Sequence, residues 1–333
     1  MYNAAVMPAN LTQQYLKAEQ RYRQASSDDE RLAALEEMLR ELPKHKGTDK
    51  MQADLRRRIS QLRKAGPARK GGHREVFHIP PQGAGQVMLL GPPNAGKSSL
   101  LAATTNAEVR IAEFPFTTTV PQPGMMHYQD VPIQLVDTPP ITPEHVEPGL
   151  VGALKAADLI ALVVDAAGDL LEGVELGLDL FARREIEPVW GPRLPDEAGE
   201  AMPKRCVAIA NKIDRPAAAG QIDALRELYG ESIHVVPVSA VRGDGIEGLQ
   251  AELFRLLDVI RVYSKPPHKP VDRTNPFILP TGSTVADLAA KVHRGLAEQV
   301  HTARIWGTGV YDGQNIPVDH VLHDKDVVEL RAH

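Results

Sequence analysis

At 333 residues and 36.3 kDa, the chain is too long for one small module and suits two or three compact units. Its 43% hydrophobic and 24% charged residues exclude disordered and fibrous classes. A single cysteine, Cys206, rules out an intramolecular disulfide and a thiolate metal cluster. The longest apolar stretch, Leu159 to Gly168, is about half of the ~20 residues that span a bilayer. The first ten residues lack a basic region followed by an apolar one, so no secretory signal is read. A soluble, reduced, cytoplasmic protein without a membrane segment is expected.

The net charge of −5 is unevenly spread. Residues 40–75 hold twelve basic and four acidic residues, whereas 76–264 carry a net charge of −11. In chain order, a helix is expected near Leu11 to Gln24. Ser27-Asp28-Asp29-Glu30 forms a capping box ahead of Leu32, Leu35, Met38, Leu39 and Leu42, with Pro43 closing the helix. Thr48 can cap a second helix bearing Met51, Leu55, Ile59 and Leu62. The short connection predicts an antiparallel helical hairpin. Lys64–Gly72 reads as a linker. From Gln86, apolar runs (87–90, 133–136, 159–164, 207–210 and 233–238) alternate with helical segments (98–103, 149–156, 174–181, 218–229 and 248–257). That alternation predicts a mainly parallel sheet covered on both faces. The proline-rich stretch Ser264–Asn275 marks a second boundary. Beyond it come strands near 277–279, 303–306 and 327–331 and a helix from Thr284 to His293 capped by Ser283.

Gly91-Pro92-Pro93-Asn94-Ala95-Gly96-Lys97-Ser98 matches the phosphate-binding pattern G-x-x-x-x-G-K-[ST], after a strand and opening a helix. Glycines let successive backbone N–H groups converge on anionic oxygens, and the helix terminus adds its dipole. Pro93, Asn94, Ala95, Gly96, Lys97, Ser98 and Ser99 are the candidate phosphate contacts. Lys97 should reach the β- and γ-phosphates, and the Ser98 hydroxyl should ligate Mg²⁺.

Asn211-Lys212-Ile213-Asp214 follows an apolar strand. The Asp214 carboxylate can accept from the N1–H and N2–H₂ of guanine, a donor pair adenine lacks. Asn211 would bind the ring edge and tie to the phosphate loop, while the Lys212 stem packs on the ring. Ser239-Ala240 would set a backbone N–H on the guanine O6. Asp137 ends a strand, as the acid on the Mg²⁺ side of a nucleotide hydrolase should. A threonine within Phe114-Pro115-Phe116-Thr117-Thr118-Thr119 can close over the γ-phosphate.

The motifs GPPNAGKS, FPFTT, DTPP, NKID and SA, in this order, resemble the Obg-type branch of the GTPases. Glu41–Ile59 is similar to the N-terminal helical segment of the DRG (developmentally regulated GTP-binding) family. Residues 279–288 and 319–328 resemble a TGS domain. The resemblance implies that Asn94 ligates a K⁺ ion bridging the phosphates and that Thr118 is the Mg²⁺-binding switch residue. With Lys97, these are the candidate catalytic residues. Ile141 stands where other GTPases carry a glutamine. The family's DTPG is here DTPP, so Pro140 removes an N–H that would bind the γ-phosphate. Forty-six positions separate Asp165 from Asn211, too few for the subdomain inserted in eukaryotic members.

The basic residues Lys44, Lys46, Arg56, Arg57, Arg58, Arg63 and Lys64 can meet RNA phosphates, or be a solvated face beside the acidic region. His320 and His323 could share a helical face but make no convincing metal pair. Trp190 and Trp306 read as packing residues, and Cys206 as inert.

The expected architecture is α/β: an N-terminal helical region (1–72), an Obg-type GTPase domain with a parallel sheet (84–264), and a small α+β, β-grasp-like TGS domain (272–333). The expected function is slow, Mg²⁺-dependent and K⁺-stimulated GTP hydrolysis as a regulatory switch. Its partners would be the ribosome or another RNA, reached through the basic helices and TGS domain, together with a regulatory protein. The alternative is a non-hydrolysing nucleotide-binding scaffold disabled at Pro140.

Overall fold

The computed structural model describes residues 77–105 and 120–332, except 198, 268, 294 and 296–298. It also describes 28–42 and residues 15, 17, 18, 21, 22, 52, 55 and 59. Thr118 with its flanking 114–117 and Thr119, the caps Ser27 and Thr48, the 64–72 linker and the seven basic residues named above lie outside the described residues. Met1–Glu75 and Val76–His333 are separate compact units.

In the first unit, α1 (Asp28–Glu41) contributes Leu35 and Met38 to a buried apolar cluster. Tyr15, Ala18, Leu42, Leu55 and Ile59 complete it, and all of these but Leu42 are helical. Among the described residues, three helical segments thus share one core, because each offers a single apolar stripe that a neighbour must cover.

The second unit contains two sheets. The first comprises β1 (Gln86–Leu90), β2 (Gln122–Tyr128), β3 (Val131–Asp137), β4 (Leu159–Asp165), β5 (Ile186–Val189), β6 (Met202–Asn211) and β7 (Val235–Val238), in the order β2-β3-β1-β4-β6-β5. Every pairing is parallel except β2 with β3. The ten-residue β6 pairs with β5 through its first half and with β7 through its second. Strand β1 alternates between two cores. Met88 and Leu90 enter one with α3 (Leu150–Ala156) and α4 (Leu170–Arg183), while Val87 and Leu89 enter the other with α2 (Lys97–Thr104) and α6 (Ile246–Leu257). Helix α5 (Ala218–Tyr229) adds Ile222 and Leu225 to the first. Helix α4 starts four residues before the expected 174, where the Asp169 carboxylate accepts from the Glu172 N–H at 2.9 Å.

The second sheet has the order β11-β10-β12-β8-β9. Its strands are β8 (Val259–Ser264), β9 (Phe277–Pro280), β10 (Val300–Trp306), β11 (Gln314–Pro317) and β12 (Asp326–Ala332). They pack on α7 (Val285–Val292), which buries Val285 and Leu288. Residues 259–264, placed at the end of the GTPase region by sequence, hydrogen-bond instead into this sheet, antiparallel to β9 and parallel to β12. Thr284, not Ser283, caps α7, through a capping box closed by Asp287. His320 and His323 lie in the turn before β12 rather than on a helix. Four strands escaped the periodicity reading: β2, β5, β8 and β11. Pro123 with Gly124 in β2, and Pro188 in β5, mark sheet edges, where a missing N–H is tolerated.

Helix α4 approaches β4 closely because Gly177 has no side chain. A Cβ there would lie 2.6 Å from a methyl carbon of the fully buried Leu162. Chemical denaturation of Leu162→Ala should show a loss of about 2–5 kcal/mol from cavity formation. Gly177→Ala should cost up to about 1–3 kcal/mol by overpacking. The double variant should be more stable than the sum of the two losses, because each change relieves the other's misfit. Strict additivity would show that the two residues are not in packing contact.

Candidate nucleotide-binding site

The phosphate loop connects β1 to α2 between β3 and β4, at the carboxyl ends of the strands. Its shape needs glycine. Gly91 has φ +152°, and a Cβ on it would fall 2.0 Å from the Val163 carbonyl oxygen. Gly96, at φ +91°, is the residue before α2, and no side chain caps that helix. Its first N–H groups are therefore available to an anion, with the helix dipole behind them. Asn94 adopts φ +60°, an uncommon left-handed conformation for a residue with a side chain.

Lys97 is buried, and its ammonium donates to the carbonyls of Gly91 (2.8 Å) and Pro92 (3.1 Å). Burial lowers its pKa to about 8, a shift opposed by the nearby Asp137 carboxylate. The Ser98 hydroxyl donates to Asp137 Oδ2 at 2.5 Å, so the two oxygens expected around Mg²⁺ already adjoin. Asp137 is fully buried at the end of β3. Next to it, the Thr138 hydroxyl donates to the Leu89 carbonyl at 2.8 Å. Ile141 is buried in the core, and its N–H donates to the Gly91 carbonyl at 3.2 Å. An apolar side chain held there has no amide to offer a water. Pro140, one residue earlier, is half-buried.

On the other side of the loop, the Asn211 carboxamide joins three strand ends. It donates to the Ala95 carbonyl at 3.0 Å and accepts from the Ala240 N–H at 3.1 Å. Lys212, at φ +70°, reaches back to the Asn94 carbonyl at 2.6 Å. The Ser239 hydroxyl donates to Asp214 Oδ1 at 2.7 Å and accepts from the Arg242 N–H. That hydroxyl is the main cause holding the Asp214 carboxyl below its ordinary pKa, with Arg215 and Arg242 adding smaller pulls. The carboxylate therefore stays ionised and remains an acceptor.

Sequence reasoning missed one participant. Asp165, at the end of β4, accepts from the Lys212 ammonium at 2.6 Å and from the Ala167 N–H at 2.9 Å, anchoring the lysine over the loop. Its signal was an acid closing the apolar run LIALVVD, the pattern that marked Asp137. Pro93, Asn94, Ala95, Gly96, Lys97, Ser98, Asp137, Asn211, Lys212, Asp214, Ser239 and Ala240 thus converge on the ends of β1, β3, β6 and β7, with Ser99 in the first turn of α2. Among the described residues, no group of three or more His, Cys, Asp or Glu could hold a metal, and no helix could cross a membrane.

Comparison with known proteins follows the same division. The family described as "50S ribosome-binding GTPase" matches residues 86–189, and the TGS domain matches 260–332. An uncharacterized GTP-binding protein of Halobacterium salinarum is 27% identical, the alignment covering 91% of this chain and 99% of that one. Developmentally-regulated G-protein 1 of Arabidopsis thaliana is 28% identical over 90% of each. Ribosome-interacting GTPase 1 of Saccharomyces cerevisiae is 24% identical over 92% of this chain and 99% of the yeast protein. Among solved structures, Era from Aquifex aeolicus overlays with a TM-score of 0.43 at 21% identity, over 67% of this chain and 72% of that one. The chain thus carries a segment similar to the P-loop GTPases of the 50S ribosome-binding family, followed by a C-terminal TGS domain. Its homologues over most of its length include developmentally regulated GTP-binding proteins, at 26–28% identity.

Proposed function

We propose that this protein is a slow, Mg²⁺-dependent GTP hydrolase that acts as a regulatory switch on a ribosome or another RNA-containing partner. The observation that carries the reading is the Asn211 bridge, which sets the Asp214–Ser239 pair and the phosphate loop in one frame. In this reading, main-chain N–H groups from Asn94 to Ser99, the residues that follow Pro93, and the Lys97 ammonium hold the phosphates. Asp214 accepts from the guanine N1–H and N2–H₂, the Ser239-Ala240 segment sets a backbone N–H toward O6, and Asn211 and Lys212 frame the ring. Ser98, Thr118 and Asp137 supply hard oxygen donors, the kind Mg²⁺ takes. When bound, Mg²⁺ would neutralise charge on the phosphates; Asn94 would hold K⁺ beside them. With Ile141 in place of a glutamine, backbone groups and the Thr118 carbonyl orient the attacking water.

The domain bounds expected from sequence, 84–264 for the GTPase and 272–333 for the TGS domain, shift at their junction, because β8 pairs with β9 and β12 and so belongs with the second sheet. The TGS domain and the N-terminal helical region (1–72) carry the output. The basic residues from Lys44 to Lys64 are suited to RNA phosphates, and the yeast relative bears the name ribosome-interacting. A regulatory protein partner and a cytoplasmic setting complete the proposal.

Three outcomes test it. Asp214→Asn should exchange guanine preference for xanthine in competition binding, because the amide donates where the carboxylate accepted. Unchanged selectivity would remove the basis for base recognition. Multiple-turnover phosphate release should be measurable, faster with K⁺ than with Na⁺, and lost in Lys97→Ala. Tight nucleotide binding without release would favour the scaffold reading, which one feature supports: Pro140 has no N–H, and that of Ile141 is engaged by Gly91. Pro140→Gly should then raise the GTP-to-GDP affinity ratio by about tenfold, the worth of one charge-assisted hydrogen bond of roughly 1.5–3 kcal/mol at its lower end. An unchanged ratio would show that this position does not sense the γ-phosphate.

A further inference from the structure

Arg261 lies in β8 of the second sheet, yet its side chain serves the first. It is 2% exposed. Its Nη1 donates to Gln129 Oε1 at 2.9 Å and Asp130 Oδ1 at 2.7 Å, while Nε and Nη2 donate to Asp324 at 3.0 and 3.2 Å. The Tyr263 hydroxyl donates to the other Asp130 oxygen at 2.6 Å. The guanidinium also covers the rings of Phe254 (4.8 Å) and Tyr128 (5.7 Å), which themselves meet at 5.2 Å. Burial disfavours the arginine's charge, but its carboxylate partners outweigh that and hold its pKa above the ordinary value.

Gln129 and Asp130 are the whole loop of the β2–β3 hairpin, since Tyr128 pairs with Val131. Gln129 sits there at φ +55°, a conformation that disfavours a side chain. The opposite end of the same hairpin pairs Gln122 with Asp137, the residue that receives the Ser98 hydroxyl. At about 3.3 Å per residue, the two ends stand roughly 20 Å apart. Among the described residues, β3 is the one strand that pairs with β2 apart from an isolated bridge between Thr105 and Met126, so tip contacts bear directly on its register.

Resting on the Mg²⁺-dependent GTPase reading above, we propose that Arg261 is a positioning residue for the reaction. Carried by the second sheet, it clamps the hairpin tip and thereby sets where the far end holds Asp137 against Ser98. The TGS-side sheet thus helps to build the GTPase site without touching nucleotide. By reciprocity, anything that shifts this sheet shifts the Mg²⁺ end of the hairpin, and nucleotide state in turn biases the sheet.

The test uses the full chain with Arg261→Met, which keeps an apolar stem between the rings, and the milder Asp130→Asn, which leaves the Asp324 pair intact. Phosphate release at saturating GTP and GDP dissociation are followed across a Mg²⁺ series, with GDP affinity in EDTA as a fold control. Each variant should lower kcat by at least about fivefold, the lower bound for coupled sites. Each should also raise the Mg²⁺ concentration at half effect, with GDP affinity in EDTA unchanged. The double variant should be no worse than Arg261→Met alone. A kcat within twofold and an unmoved Mg²⁺ curve would overturn the inference. So would a loss of kcat that tracks loss of GDP affinity in EDTA with the Mg²⁺ midpoint unchanged, the mark of a purely structural role. If the unsubstituted chain shows no Lys97-dependent release, the hydrolase reading fails. The Mg²⁺ dependence of GDP dissociation then decides the role of Arg261, a shifted midpoint supporting it and an unmoved one refuting it.

Discussion

Asn211 makes two hydrogen bonds to main chain, and the site is organised around them. One fixes the phosphate loop through the Ala95 carbonyl; the other fixes the loop after β7 through the Ala240 N–H. A carboxamide can donate and accept at once, so one buried side chain holds two loops at a set distance. The residue is 2% exposed, where an unpaired partner would be costly, so the arrangement is narrowly specified. The glycine at position 96 follows from the same constraint, because a Cβ there would stand 2.3 Å from the Asn211 amide nitrogen.

Around this bridge the charged groups are used economically. Lys97 turns onto the loop carbonyls, Lys212 is held by Asp165 and the Asn94 carbonyl, and Asp214 is oriented by Ser239. Each ionised group has a defined partner, which preorganises the site. The cost of preorganisation shows in the backbone: Asn94 and Lys212 both sit at positive φ, held there by surrounding contacts. The second sheet repeats the principle at Arg261, a buried cation matched by Asp130 and Asp324. Breaking such a pair costs more than forming it gains, so it acts chiefly to specify geometry.

Much of the fold was legible because apolar runs and caps are local. The strands at 87–90, 133–136 and 159–164 are visible as near-continuous apolar runs because both sheet faces are covered, and the helix at 218–229 shows the spacing of a one-sided apolar face. β2 was illegible because Pro123 and Gly124 break strand propensity, and only its place at a sheet edge makes them tolerable. Residues 259–264 fall with the GTPase region in sequence because they follow α6 directly, whereas the partners of β8, namely β9 and β12, lie later in the chain. The capping error at Ser283 arose because Ser and Thr are both competent caps, and the reciprocal Asp287 bond chooses between them.

Motifs picked out the 91–98 loop, the Asn211–Asp214 segment and the acid that ends β3, because those residue types stand in strict local order. That part of the protein is written in one dimension. Long-range charge pairing is not: Asp165 with Lys212 spans 47 positions, and Arg261 with Asp130 spans 131. Nothing in a sequence distinguishes a surface arginine from one that will be enclosed between two sheets. Burial, and the partners it enforces on a charge, exist only once the chain has closed on itself.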